Sequence, residues 1–153
     1  MGLEIILAYD KLNDIKLLFG EYVTMLGVDL AFQNYEEELD AMPGEYVLPK
    51  GRLYLAYYNS FLAGCIALKP LENTSCEMKR LFVRPQFRGK RVGRALAERV
   101  ISDARDITYD VIFLDTMGFL PDSIALYRKL GFKETVPYRY NPLRDAMFFK
   151  LEL

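Results

Sequence analysis

A chain of 153 residues is long enough for a real hydrophobic core and fits one domain, residues 1–153. At 52% hydrophobic and 27% charged, with a net charge of −1, it reads as ordinary globular sequence and excludes a globally basic nucleic-acid binder. It has no histidine and two cysteines, which excludes a Ser–His or Cys–His nucleophile, removes the commonest nitrogen ligand of a zinc site and gives no disulfide framework.

The pattern predicts a first strand over residues 4–9. Asn13 or Asp14 caps a helix that reaches about residue 26, with Ile15, Leu18, Tyr22 and Met25 on one face and Gly27 ending it. A second helix, residues 30–42, carries Glu36, Glu37, Glu38 and Asp40 and stops at Pro43-Gly44. Strands over 53–58 and 61–68 are joined by Asn59-Ser60 as a tight hairpin. A strand over 76–84 leads to a helix over 92–106, with Val92, Leu96, Val100 and Ala104 spaced four apart. The apolar run 111–114 reads as a central strand covered on both faces. Pro121-Asp122 opens a late helix that closes at Gly131, and strands over 132–136 and 146–153 follow. A hairpin followed by a strand–helix–strand crossover gives a mixed sheet flanked by helices, with the strands at 76 and 111 parallel.

Charge is unevenly placed. Residues 79–105 hold nine Lys or Arg against two acids, a net of +7 that leaves −8 elsewhere. Within them a strand runs into Pro85, then into the basic turn 88–93 with two glycines, then into the helix. A helix start exposes unpaired N–H groups and a positive dipole end, glycines let a ligand approach the backbone, and Arg and Lys add charge, a combination that suits a pyrophosphate. A basic turn that is merely solvated has the same composition. The three-glycine dinucleotide fingerprint and the P-loop ending are both absent.

Residues 83–93, Val-Arg-Pro-Gln-Phe-Arg-Gly-Lys-Arg-Val-Gly, resemble motif A of the GNAT family of acyl-CoA-dependent N-acetyltransferases: Arg or Gln, two residues, Gly, one residue, then Gly or Ala. Arg88 and Gly93 match the ends, and Arg91 stands where the family usually has its inner glycine. Residues 123–132, Ser-Ile-Ala-Leu-Tyr-Arg-Lys-Leu-Gly-Phe, are similar to the family's late helix, which ends Leu-Tyr-x-x-x-Gly-Phe, with Leu120 in place of the Asn that often opens it. Residues 77–83 resemble its fourth strand. The resemblance implies an α/β (α+β) fold with a mixed, mostly antiparallel six- to seven-stranded sheet, about four flanking helices and a parallel strand pair that splays around the cofactor's pantetheine arm.

It also implies an acetyl-CoA-dependent N-acetyltransferase acting by direct attack in a ternary complex, with no metal. The backbone of Phe82 and Val83 is expected to pair with the pantetheine arm, and a backbone N–H near Val83 to meet the developing oxyanion. The amides of Arg88, Gly89, Lys90, Arg91, Val92, Gly93 and Arg94 are expected to hold the pyrophosphate. Tyr127 is implied as the acid for the leaving thiolate; packing beside Leu130 is what a helical aromatic otherwise does. Glu77 is implied as the base, directly or through water; otherwise it is an exposed strand-end carboxylate paired with Lys79 or Arg80. Without histidine, nothing activates Cys65 or Cys76, both read as buried, reduced thiols of a cytoplasmic protein.

The first two helices and the last strands are implied to form the acceptor pocket, with Tyr35, Glu38, Tyr46, Tyr138 and Asn141 as candidates. The acidic balance favours a cationic amine without a nearby carboxylate; a preference for carboxylated acceptors would point to Arg139 or Arg144. A metabolite amine, antibiotic, polyamine, peptide N-terminus or protein lysine all stay open, as does a homodimer. Neither nucleic acid nor membrane is an expected partner. The rival reading is a non-catalytic module on the same fold, an acyl-CoA sensor or an RNA binder.

Overall fold

The computed structural model describes residues 2–153. Seven strands form one sheet: β1 (Leu3–Leu7), β2 (Arg52–Tyr58), β3 (Phe61–Pro70), β4 (Ser75–Val83), β5 (Val111–Met117), β6 (Lys133–Thr135) and β7 (Ala146–Glu152). Their order is β1-β2-β3-β4-β5-β7-β6, antiparallel throughout except for β4 and β5. Four α-helices accompany it, α1 (Leu12–Leu26), α2 (Tyr35–Asp40), α3 (Val92–Ile107) and α4 (Pro121–Lys129). This is the mixed, helix-flanked architecture expected. No helix among the described residues is long and apolar enough to cross a membrane.

The sheet is covered on both faces. On one, the four-spaced set Val92, Leu96, Val100 and Ala104 of α3 is buried against Ile66, Leu68, Ile112 and Phe149. On the other, Ile15, Leu18, Phe19 and Leu26 of α1 pack on Leu53, Leu55, Cys65 and Ala67. The alternation of β2 serves both layers, Leu53 and Leu55 facing α1 while Tyr54 and Ala56 face α3. Asn59 and Ser60 take positive φ, 49° and 72°, as a two-residue hairpin turn requires.

Several boundaries differ from the sequence expectation, each for a local reason. Helix α1 starts one residue before Asn13, without a side-chain cap, and Asp14 instead sits in its first turn, where a carboxylate complements the dipole. Met25 is 39% exposed, and Phe19 takes its place on the buried stripe. The long second helix is broken. Asn34 adopts the left-handed conformation, φ 56°, a state Asn tolerates, and separates a 3₁₀ turn (Ala31–Gln33) from the short α2. Strand β5 alternates rather than being buried throughout: Ile112 and Leu114 are buried, while Val111, Phe113 and Asp115 are half-buried. Helix α4 is capped at Leu130, with Gly131 following at φ 101°.

Two features of β4 position the site. It pairs with β5 over only three rungs, Ser75–Val111, Cys76–Ile112 and Glu77–Phe113. Beyond them β5 stays with β7 as far as Met117–Ala146, and β4 stays with β3. The parallel strands therefore separate, as the splay implied by the resemblance requires. At the point of separation β4 carries a bulge: Cys65 faces Phe82 and Ala67 faces Lys79, so Ile66 faces two residues, and Arg80 there has φ 61°. A bulge bends its strand and re-aims side chains.

Candidate active site

The separation of β4 from β5 opens a cleft of about 610 Å³. Leu81, Phe82 and Val83 form one wall, the turn after β4 and the start of α3 another, and residues 119–123 with Leu126 and Tyr127 the third. Arg88, Gly89, Arg91, Val92, Gly93 and Arg94 all line it. Lys90 does not; its Nζ lies over the Tyr58 ring, 5.4 Å from the centroid. The turn is built by two left-handed residues, Gly89 at φ 79° and Arg91 at φ 63°. Arg91 occupies the position where a glycine would take this conformation without steric cost.

The first intrahelical bond of α3 runs from Ala95 N–H to Arg91 O, at 3.1 Å. The N–H groups of Val92, Gly93 and Arg94 precede it and lack intrahelical acceptors, at the positive end of a 16-residue helix. A Cβ at Gly93 would point between Val83 Cγ2 (3.5 Å) and Leu126 Cδ2 (3.8 Å), so the glycine keeps the strip between strand and late helix open. Unbonded amides, a glycine strip and three guanidinium groups fit a pyrophosphate with an extended arm.

Backbone polarity along β4 is settled by its partner. Arg84 N–H donates to Ala63 O at 2.8 Å. In an antiparallel ladder the hydrogen-bonded positions alternate, so Phe82, opposite Cys65, also turns its N–H and C=O to β3. Val83, opposite Gly64, turns both into the cleft, where Arg88 Nε donates to Val83 O at 3.1 Å. Of the two strand residues expected to pair with a ligand, the backbone of Val83 is the one available. A Cβ at Gly64 would meet Phe82 O at 2.6 Å, so this glycine permits the close strand approach.

Tyr127 lies on α4 with its ring against Phe132 and Phe149, centroids 5.8 and 6.4 Å away. It is 7% exposed, and burial, with Tyr22 and Asp115 nearby, pushes its phenol well above the ordinary tyrosine range. It borders both the cleft and a smaller cavity of about 40 Å³, and Tyr22, Leu81 and Thr116 likewise line both. Burial pushes Tyr22 up to about 12.

Behind the small cavity lies a set of buried charges. Glu77 is fully buried, and it is not the exposed strand-end carboxylate the sequence allowed, nor is it paired with Lys79 or Arg80. Tyr138 O–H donates to its Oε2 at 2.5 Å, and Arg139 Nη1 donates to both oxygens, at 3.0 and 2.9 Å. It lines neither cavity. Arg80 is held by Glu38 through two hydrogen bonds, 3.2 and 2.8 Å, and its guanidinium lies over the rings of Phe19 and Tyr35. Burial, the largest single influence, raises the Glu38 carboxyl, but the hydrogen bonds and charge of Arg80, with Lys79 and Tyr46, together outweigh it and hold the group below its usual range.

Among the residues expected at the acceptor pocket, Tyr35 and Tyr46 are buried, Glu38 and Tyr138 are half-buried and engaged by Arg80 and Glu77, and Asn141 alone borders a cavity. Asn141 Nδ2 donates to Asp115 Oδ2 at 3.0 Å and its Oδ1 accepts from Leu143 N–H at 2.9 Å. Sequence reasoning missed Lys79 and Asp115, which both line the small cavity. The available signal was a charged residue inside an otherwise buried strand, which is rare without a partner or a role. Cys65 and Cys76 are free and buried, and burial raises both thiols, Cys76 to about 12.

Residues 18–132 match the model of the acetyltransferase (GNAT) family. The chain is similar, at 34% identity over the whole of both chains, to an uncharacterized N-acetyltransferase of Dictyostelium discoideum. It is 38% identical to an uncharacterized N-acetyltransferase of Schizosaccharomyces pombe, over 93% of this chain and 88% of that one. Its fold superposes, with a TM-score of 0.73 and 20% identity over 99% of this chain and 94% of the other, on the yncA protein of Salmonella typhimurium, solved with its cofactor acetyl-CoA.

Proposed function

The chain belongs to the GNAT family and is an N-acetyltransferase, and from that premise we propose that it transfers an acetyl group from acetyl-CoA to a primary amine by direct attack in a ternary complex. One observation carries this reading: a single cleft is lined both by Val92, Gly93 and Arg94, whose amides are unbonded at the start of α3, and by Tyr127.

Acetyl-CoA supplies the acetyl thioester. The amides of Val92, Gly93 and Arg94, with Arg88 and Arg91, hold the pyrophosphate, and Val83 offers its N–H and C=O to the extended arm. A backbone N–H near Val83 meets the charge developing on the acyl oxygen. Tyr127 holds a proton for the departing sulfur. Burial keeps the phenol protonated, and a thiolate leaving into the same dry cleft is made more basic by the same desolvation, so the phenol can give it a proton. Glu77 acts as a positioning residue: its ion pair with Arg139 holds the loop after β6 in place, and water accepts the amine's proton. No acyl-cysteine forms, since burial keeps both thiols protonated and each donates to a backbone carbonyl, Cys65 to Arg80 and Cys76 to Val111.

The test is free-thiol release from acetyl-CoA across a panel of amines, with acetylated product confirmed by mass. Acetyl-CoA should raise the melting temperature of the wild type. Gly93→Asp should abolish that rise, because it puts a side chain and a like charge where the phosphates lie, whereas Gly93→Ala should keep most of it. Intact mass after mixing with acetyl-CoA alone should show no stoichiometric covalent acetyl group.

A further inference from the structure

We propose that the acceptor is an amino acid, a small amine with a carboxylate close to its nitrogen, whose carboxylate is bound by Lys79 and whose ammonium is bound by Asp115. The proposal rests on the acetyltransferase reading above and names the substrate class of the same site.

The interior charges at the splay are arranged in pairs. Glu38 takes Arg80, and Glu77 takes Arg139. Lys79 is left over. It is 7% exposed, its one hydrogen bond is to Gln33 Oε1 at 3.4 Å, and no carboxylate lies within ion-pair distance of it among the described residues. Buried ammonium groups are ordinarily paired, because an uncompensated one is costly to desolvate. Asp115 is the carboxylate least engaged by the same cluster. Its side chain is 11% exposed, it accepts from Asn141, and Arg139 Nε reaches it only at 3.8 Å.

These two residues face the same space. The last parallel rung is Glu77–Phe113, so Lys79 and Asp115 stand two residues further on, one on each diverging strand, and both line the cavity of about 40 Å³. That volume admits only a small head group. The cavity shares Tyr22, Leu81, Thr116 and Tyr127 with the cofactor cleft, so a nitrogen held there lies beside the Tyr127 end of it. The acidic helix that favoured a carboxylate-free amine on sequence grounds does not set the charge of this cavity, because its half-buried member, Glu38, is neutralised by Arg80.

Burial and the neighbouring Arg80 and Arg139 push Lys79 down to about 8, opposed by Glu77 and Glu38. It is still mostly protonated at neutral pH, and an incoming carboxylate supplies the partner it lacks.

The experiment uses matched pairs, L-alanine with ethylamine, L-leucine with 3-methylbutylamine and L-phenylalanine with 2-phenylethylamine, assayed by thiol release with wild type, Lys79→Gln and Lys79→Met. A charge-assisted hydrogen bond to a carboxylate predicts that wild type prefers the amino acid by about ten- to a hundred-fold in kcat/KM, with the ratio collapsing towards one in both variants. Retention of the acetyl-CoA-induced rise in melting temperature shows that the variants are folded. If they do not fold, the wild-type pH profile decides: KM for the amino acid should rise above about pH 8, as Lys79 loses its proton, while KM for the plain amine does not. A plain amine that equals or beats its amino acid in wild type overturns the proposal, as does a preference unchanged in folded variants. Acetylation of peptide or protein amines but of no amino acid overturns it and leaves the acetyltransferase reading intact. Absence of thiol release with every amine overturns both.

Discussion

Arg139 donates through one nitrogen to both carboxylate oxygens of Glu77, and so ties the segment between β6 and β7 to the last paired rung of the parallel strands. The carboxylate is fully buried, and the tie holds Asn141, two residues on, against Asp115 at the rim of the small cavity.

Removing the guanidinium leaves Glu77 buried without its counter-charge. Breaking one side of a buried pair costs about 3–5 kcal/mol. Arg139→Ala should lower stability by that order in urea unfolding. Adding Glu77→Gln should recover part of the loss, because the orphaned charge is gone. A double variant no more stable than Arg139→Ala would show that the ion pair is not what holds this loop.

Tyr127→Phe keeps the ring that packs on Phe132 and Phe149 and removes only the proton. General acid catalysis supplies roughly 10²–10⁴-fold, so kcat should fall by roughly ten- to a thousand-fold while the acetyl-CoA thermal shift is kept. The measurement is steady-state kinetics with chemistry shown to limit turnover. An unchanged kcat would remove Tyr127 from the mechanism.

Arg91 carries a left-handed backbone at φ 63°, which costs an L-residue with a Cβ about 1–2 kcal/mol and a glycine almost nothing. Arg91→Gly and Arg91→Ala remove the same charge. The glycine variant should be the more stable of the two by about 1 kcal/mol, seen as a higher melting temperature. Both should weaken acetyl-CoA binding alike, and more at low salt than at high salt.

Lys79 sets a pH dependence of stability. Its folded pKa, about 8, lies below the ordinary 10.5, so between those values the unfolded chain holds a proton that the folded chain does not. Stability contributed by this group therefore rises with pH across that window. The two buried thiols work in the opposite sense above about pH 9, since their folded pKa values are raised. Lys79→Met should be more stable than wild type at pH 7, with the gap in melting temperature narrowing by pH 9. A gap that stays constant would mean that Lys79 titrates normally.

Much of the fold was legible along the chain because it rests on local repetition. The four-spaced set Val92, Leu96, Val100 and Ala104 determined α3, Asn59-Ser60 the hairpin, and the two-glycine basic turn the lead into α3 that lines the cleft. The break at Asn34 was not legible, since an acidic run reads as continuous helix until Tyr35 must pack beneath Arg80.

Within the site, the sequence by itself determined that the basic turn runs into the start of α3 and that Tyr127 sits on the late helix, because both follow from residues adjacent in the chain. Only the tertiary structure decided which charges are spent and which remain. Glu38 with Arg80 and Glu77 with Arg139 are 42 and 62 residues apart, and pairing between buried groups depends on distances that strand register and the β4 bulge set. The same divergence of β4 and β5 leaves Lys79 and Asp115 facing one cavity, where spacing along the chain carries no trace of the meeting.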